Sequence, residues 1–164
     1  MRLLYCLIAL LILSKTASTS ELAIARNLYF NAPNNEQAAT NFLAYIDGYD
    51  GYHATLLAYK AAAIAIMAKH YTLPTSKIKA VKKAVPIFEK AISLAPKNSE
   101  IRFLRFSVEM NIPKFLGMKD HLEEDKLQFI NNFSAISDLD LKLKLRAFAI
   151  QYMNLSAAEL LSLD

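Results

Sequence analysis

Ala54-Thr55-Leu56-Leu57-Ala58-Tyr59-Lys60-Ala61-Ala62-Ala63-Ile64-Ala65-Ile66-Met67-Ala68 decides the fold class. Its only polar side chains are Thr55 and Lys60. It is rich in alanine and poor in β-branched residues, which favours helix over strand. A helix that is apolar nearly all round belongs in the middle of a domain, covered on every side. Crossing a bilayer needs roughly 17–25 apolar residues, and Lys60 interrupts this run. The stretch therefore predicts a buried central helix over about Tyr52 to Tyr71, and its alanines allow neighbours to approach closely.

Working outward, turn and cap signals cut the chain into helical lengths. Toward the N terminus, Asp47-Gly48-Tyr49-Asp50-Gly51 reads as a turn, with two glycines where φ > 0 is expected. Before it, one helix is expected over about Glu21–Asn31, ending at Pro33, and another from Asn35, with Ala39, Phe42 and Ile46 on one side. Toward the C terminus, Thr75 or Ser76 is the expected N-cap of a basic helix from Lys77 to about Ala95. Pro86 inside it predicts a kink or a break. Further helices are expected over Ser99–Asn111, about Lys119–Phe133, and from a capping box at Ser137–Asp140. Ser156-Ala157-Ala158-Glu159 is a second capping box opening a short terminal helix. The connections are short, which sets neighbouring helices antiparallel.

The chain opens with Arg2 and an apolar run, Leu3 to Leu13, followed by small polar residues through Ser20. That is the order of a secretory signal peptide. Residues 1–19 are therefore read as the leader and 20–164 as one helical domain, exported to a bacterial periplasm or cell surface. The only cysteine, Cys6, lies within the leader. Disulfides, thiolate catalysis and cysteine-ligated zinc are excluded for the remainder. The full chain has 19 Lys+Arg against 15 Asp+Glu; without Arg2 and Lys15 the balance is 17 against 15. An excess that small points away from nucleic acid.

Ala84, Phe88, Ala91 and Pro96 follow one another at spacings of 4, 3 and 5. This resembles the second half of a tetratricopeptide repeat, where small residues let helices approach, an aromatic fills the gap and proline ends the hairpin. The likeness covers about one and a half repeats. It implies an all-α fold of antiparallel helical hairpins stacked as a short right-handed array, and a concave groove suited to a protein or peptide partner. Segments such as Met67-Ala68-Lys69-His70 and Arg102-Phe103-Leu104-Arg105-Phe106 also resemble a family of exported bacterial proteins with no assigned activity, which implies export and nothing more specific.

At 100° per residue, Arg102, Arg105 and Glu109 fall within about 60° of one another on an otherwise apolar helix. Such a stripe is a solvated face, a buried ion network, or, on the inner helix of a repeat, a pair of anchors for an acidic peptide. The expected binding residues are Arg102, Arg105, Glu109, Lys69 and His70, around a groove between the third and fifth helices. Lys69 and His70 end the central helix, where cations meet the negative end of its macrodipole. His121 and Glu124 have the i, i+3 spacing of metal-binding bundles, but no partner motif is present, and no metal or cofactor is expected. The alternative function is an envelope enzyme using His70 or His121 with nearby carboxylates. Lys77, Lys79, Lys82 and Lys83 form a basic face open to an anionic membrane or glycan.

Overall fold

The computed structural model describes residues 20–113 and 119–163. The leader and the Phe115-Leu116-Gly117 connector lie outside the described residues. Eight α-helices and no strand occur among the described residues, so the chain is all-α. They are α1 (20–31), α2 (Glu36–Ile46), α3 (Ala54–Met67), α4 (Pro74–Leu94), α5 (Ser99–Met110), α6 (Leu122–Asn131), α7 (Leu139–Tyr152) and α8 (Ala157–Leu161).

α3 is the central helix that its sequence requires. Eleven of its fourteen residues are buried, on all sides of the helix. It packs against α2, α4 and α5, while α5 packs in turn against α6. The side chain of His53 caps α3 by accepting the Leu56 N–H, and a 3₁₀ turn (Ala68–His70) closes its far end. The glycines before it work differently from expectation, since neither Gly48 nor Gly51 lies in the left-handed region. Gly51 leaves room for a side chain instead: a Cβ there would lie 2.6 Å from the Tyr49 hydroxyl, which accepts the backbone N–H of His53, so the tyrosine would have to shift.

α4 begins at Pro74, not at Lys77 after a Thr75 or Ser76 cap. Proline suits the first helical position because the missing N–H would have had no intrahelical partner. The helix then runs unbroken through Pro86. The carbonyl that Pro86 leaves without a donor belongs to Lys82, and both residues are exposed. Of the four repeat-like positions, Ala84, Phe88 and Ala91 are buried and Pro96, after the end of α4, is exposed.

α6 starts at Leu122, three residues later than the sequence suggests. The residues before it are drawn back to α5: Lys119 Nζ donates to the Met110 carbonyl, and the backbone N–H of His121 donates to Glu109. α7 is capped by Asp138, whose side chain accepts the Leu141 N–H. It ends at Tyr152, after which Asn154 turns the chain with a φ of 47°, a conformation asparagine tolerates. α8 carries the Ser156–Glu159 capping box in full.

Candidate functional site

Four places bear on function: the arginine stripe on α5, the histidines, a cavity among five helices, and the outer face of α7. The arginine stripe is not an open groove. Arg102 and Arg105 are buried, and both reach toward α6 rather than between α3 and α5. Asp125, fully buried, receives Arg105 Nε at 2.6 Å and a terminal nitrogen of Arg105 at 2.7 Å, with Arg102 adding a third bond at 2.9 Å. Arg102 also donates to Glu124 at 2.7 Å and to the Pro96 carbonyl at 3.1 Å. These fork-like contacts use the guanidinium geometry internally. Burial opposes the charge on Arg105, but the hydrogen bonds to Asp125 and the charges of Asp125, Glu109 and Glu124 together outweigh it and raise its pKa. The hydrogen bond from Arg102 holds the exposed Glu124 below the usual carboxylate range. Nothing in the helical periodicity of α5 reveals Asp125, which reads in sequence as one of several acids at the start of α6.

Glu109 does not pair with Arg105. Its carboxylate accepts the backbone N–H of His121 at 3.1 Å and sits 2.7 Å from His121 Nδ1, which must carry a proton for that contact. A histidine within reach of a carboxylate is what the enzyme alternative asks for. The cavity beside this pair is about 20 Å³, room for about one water and no substrate. His70 has a buried Nε2 with no hydrogen-bond partner among the described residues. Lys69 is exposed and donates to the Pro33 carbonyl at 2.8 Å. No group of three or more His, Cys, Asp or Glu side chains fit to hold a metal occurs among the described residues.

A second ion network joins parts of the chain that sequence reasoning left apart. Arg26 on α1 makes two 2.7 Å bonds to Glu100 on α5 and one of 2.9 Å to Asp138, the cap of α7. The Tyr59 hydroxyl donates to Glu100 at 2.6 Å from α3. The Glu100 hydrogen bonds raise the Arg26 pKa, while burial and then the Glu100 charge hold the Tyr59 phenol well above 10. No local pattern announces contacts across 41, 74 and 112 residues.

A recess of about 660 Å³, partly open to solvent, lies among α1, α3, α4, α5 and α7. Its walls include Phe30, Ile66, Val81, Phe103 and Phe148, and Lys69 is among its rim residues. The lysines at 77, 79, 82 and 83 are all exposed along α4. Lys83 approaches Asp47 at 3.7 Å.

The outer face of α7 carries Leu139, Leu143 and Ile150, which are 68, 60 and 48 % exposed. At 100° per residue they lie within about 40° of one another and form a single line. The opposite side of α7 buries Leu141, Leu145 and Ala149, so this helix is apolar on both faces but covered on one.

Among the described residues these features define an all-α fold with a partly open, mainly apolar recess and a line of exposed apolar side chains on α7. No family model, curated protein or solved structure matches the chain.

Proposed function

We propose that the chain is an exported helical interaction module that binds a protein partner in the cell envelope, and that the partner lays an amphipathic helix or peptide across α7. The exposed line of Leu139, Leu143 and Ile150 carries this reading. Soluble helical arrays normally end in a polar outer face, whereas here three large apolar side chains share one line of α7, interrupted at i+7 by Arg146, whose guanidinium is turned to the Leu163 carbonyl. The tetratricopeptide-like reading is supported by the burial of Ala84, Phe88 and Ala91 and by the packing of α3 on α4, α5 on α6 and α3 on α5. The signal-like start of the chain is the basis for export. Arg102 and Arg105 serve the reading as internal struts, since Asp125 already occupies them.

The test compares the tagged protein with a Leu139→Asp/Leu143→Asp variant. Both side chains are exposed, so the variant should fold. A crosslinked partner is first identified from the native envelope, then purified and titrated directly against each protein. At least tenfold weaker binding by the variant is expected. Equal binding by both proteins overturns the α7 reading. Sedimentation of the protein alone provides the other refutation: dimerisation abolished by the variant would make the partner a second copy of this chain.

A further inference from the structure

The cavity is a different feature from the α7 face and takes a different kind of ligand. We infer that the cavity of about 660 Å³ binds a single-chain anionic amphiphile, a long-chain carboxylate, with its alkyl chain in the apolar interior and its head group between Lys69 and Lys77.

Size comes first. Sites for small molecules enclose roughly 300–1,000 Å³, and this cavity lies inside that range. Chemistry of the wall comes second. Aliphatic and aromatic side chains from five helices dominate, and the polar groups of Tyr29 and Ser107 set among them bond within the protein. Ser107 donates to the Leu104 carbonyl at 2.8 Å, which leaves its oxygen to accept the Tyr29 hydroxyl at 2.8 Å. Asn111 Nδ2 donates to the Ser107 carbonyl at 2.8 Å. A peptide threaded here would bury N–H and C=O groups without partners, at a cost that an alkyl chain does not incur. The wall thus favours hydrocarbon over polypeptide.

Charge comes third. The cavity is lined by two ionisable cations, Lys69 and Lys77, and by no aspartate or glutamate among the described residues. Both lysines are exposed, and no carboxylate lines the recess beside them among the described residues. Lys69 is held in place by its bond to the Pro33 carbonyl, which leaves its charge uncompensated. Pro74 also lines the cavity, and it opens a 21-residue helix whose N terminus no side chain caps. The positive end of that helix dipole reinforces the two lysines. An apolar interior with an unneutralised positive rim matches an anionic head on a hydrocarbon tail.

The experiment is isothermal titration of the full mature protein with hexadecanoate, kept below its micellar concentration, and with hexadecanol as the uncharged counterpart. One saturable site is expected, with the carboxylate binding at least tenfold more tightly than the alcohol. In Lys69→Gln/Lys77→Gln that preference should disappear while the affinity for the alcohol is unchanged. Ile78→Trp and Met110→Trp place bulk in the cavity from half-buried positions on two different helices, and each should abolish binding of both ligands. Absence of saturable binding to either ligand overturns the inference. So does equal affinity for the two, or a carboxylate preference that survives loss of both lysines. A peptide that displaces hexadecanoate while lacking any alkyl chain would overturn the choice of hydrocarbon. None of these outcomes alters the α7 experiment, because Leu139, Leu143 and Ile150 do not line the cavity.

Discussion

Asp125 and Glu124 are neighbours in sequence, both bonded to Arg102, yet their environments set them far apart. Asp125 has no solvent exposure and is the main countercharge for two buried guanidiniums. Removing one partner of a buried ion network leaves charge without compensation and typically costs about 3–5 kcal/mol. Glu124 is 53 % exposed at its side chain, and water screens pairs of that kind to about 0–1 kcal/mol. Asp125→Asn is therefore expected to lower the unfolding free energy by about 3 kcal/mol, and Glu124→Gln by less than about 1 kcal/mol. Urea unfolding of the two variants beside the parent checks this, and equal losses would refute the ranking. The same reasoning makes an Arg102→Glu/Arg105→Glu exchange a lesion in folding rather than a probe of a groove. The stripe itself was visible in sequence as Arg102, Arg105 and Glu109 on one side of a helix. Its partners were not, because helical periodicity reports which residues share a face and never what lies across from that face. Asp125 and His121 come from the following helix and its approach, and Arg26 reaches Glu100 from the other end of the domain.

At the scale of elements, the sequence was most informative where composition was extreme. The near-complete apolarity of α3 dictated its central place, and the Ser156–Glu159 box opened α8 as its residues require. Legibility failed where tertiary contacts competed with local signals. The start of α6 is moved by Glu109 and Met110, which hold His121 and Lys119 outside the helix. α4 is the instructive case, because Pro86 argued for a break and the helix is continuous. Phe88 and Ala91 on one side of the proline, and Val81 and Ala84 on the other, are all buried. Burial of both halves on one packing surface outweighs a proline penalty of about 3 kcal/mol relative to alanine in a helix interior. Since Pro86 is exposed and contributes little to that surface, Pro86→Ala should restore a backbone hydrogen bond without disturbing the core. Greater freedom of the unfolded chain offsets part of the gain. The expected net effect is a stabilisation of about 1–2 kcal/mol, read as a higher urea midpoint at unchanged denaturant slope. A destabilised variant would mean that the packing of α4 depends on a bend imposed by the proline.

For the whole molecule, Tyr29 is the point where the elements meet. Its ring lies 6.3 Å from Phe42 of α2 and 5.7 Å from both Tyr59 of α3 and Phe103 of α5. Phe103 continues the chain of rings to Phe148 of α7 at 4.8 Å. A charge on Tyr29 would sit inside this cluster, so the folded state resists ionisation. Burial pushes the phenol from 10 up to about 12, although its hydrogen bond with Ser107 pulls slightly the other way. The sign of the consequence is fixed by linkage. Between those two values the folded chain holds a proton that the unfolded chain has lost, so stability falls as pH rises. The contribution is fully present below pH 10 and is lost by about pH 12. Two pKa units correspond to roughly 3 kcal/mol. Tyr59, buried beside Glu100, shifts in the same direction and steepens the loss. Urea midpoints measured from pH 9 to 12 should therefore drop sharply, and α1, α2, α3, α5 and α7 should unfold together because one cluster joins them. Tyr29→Phe should cost about 1 kcal/mol at pH 8, through the lost bond to Ser107, yet flatten the alkaline decline. An undiminished decline in that variant would assign the alkaline sensitivity to Tyr59 and Glu100, and the junction of the molecule to the α3–α5 contact instead of Tyr29.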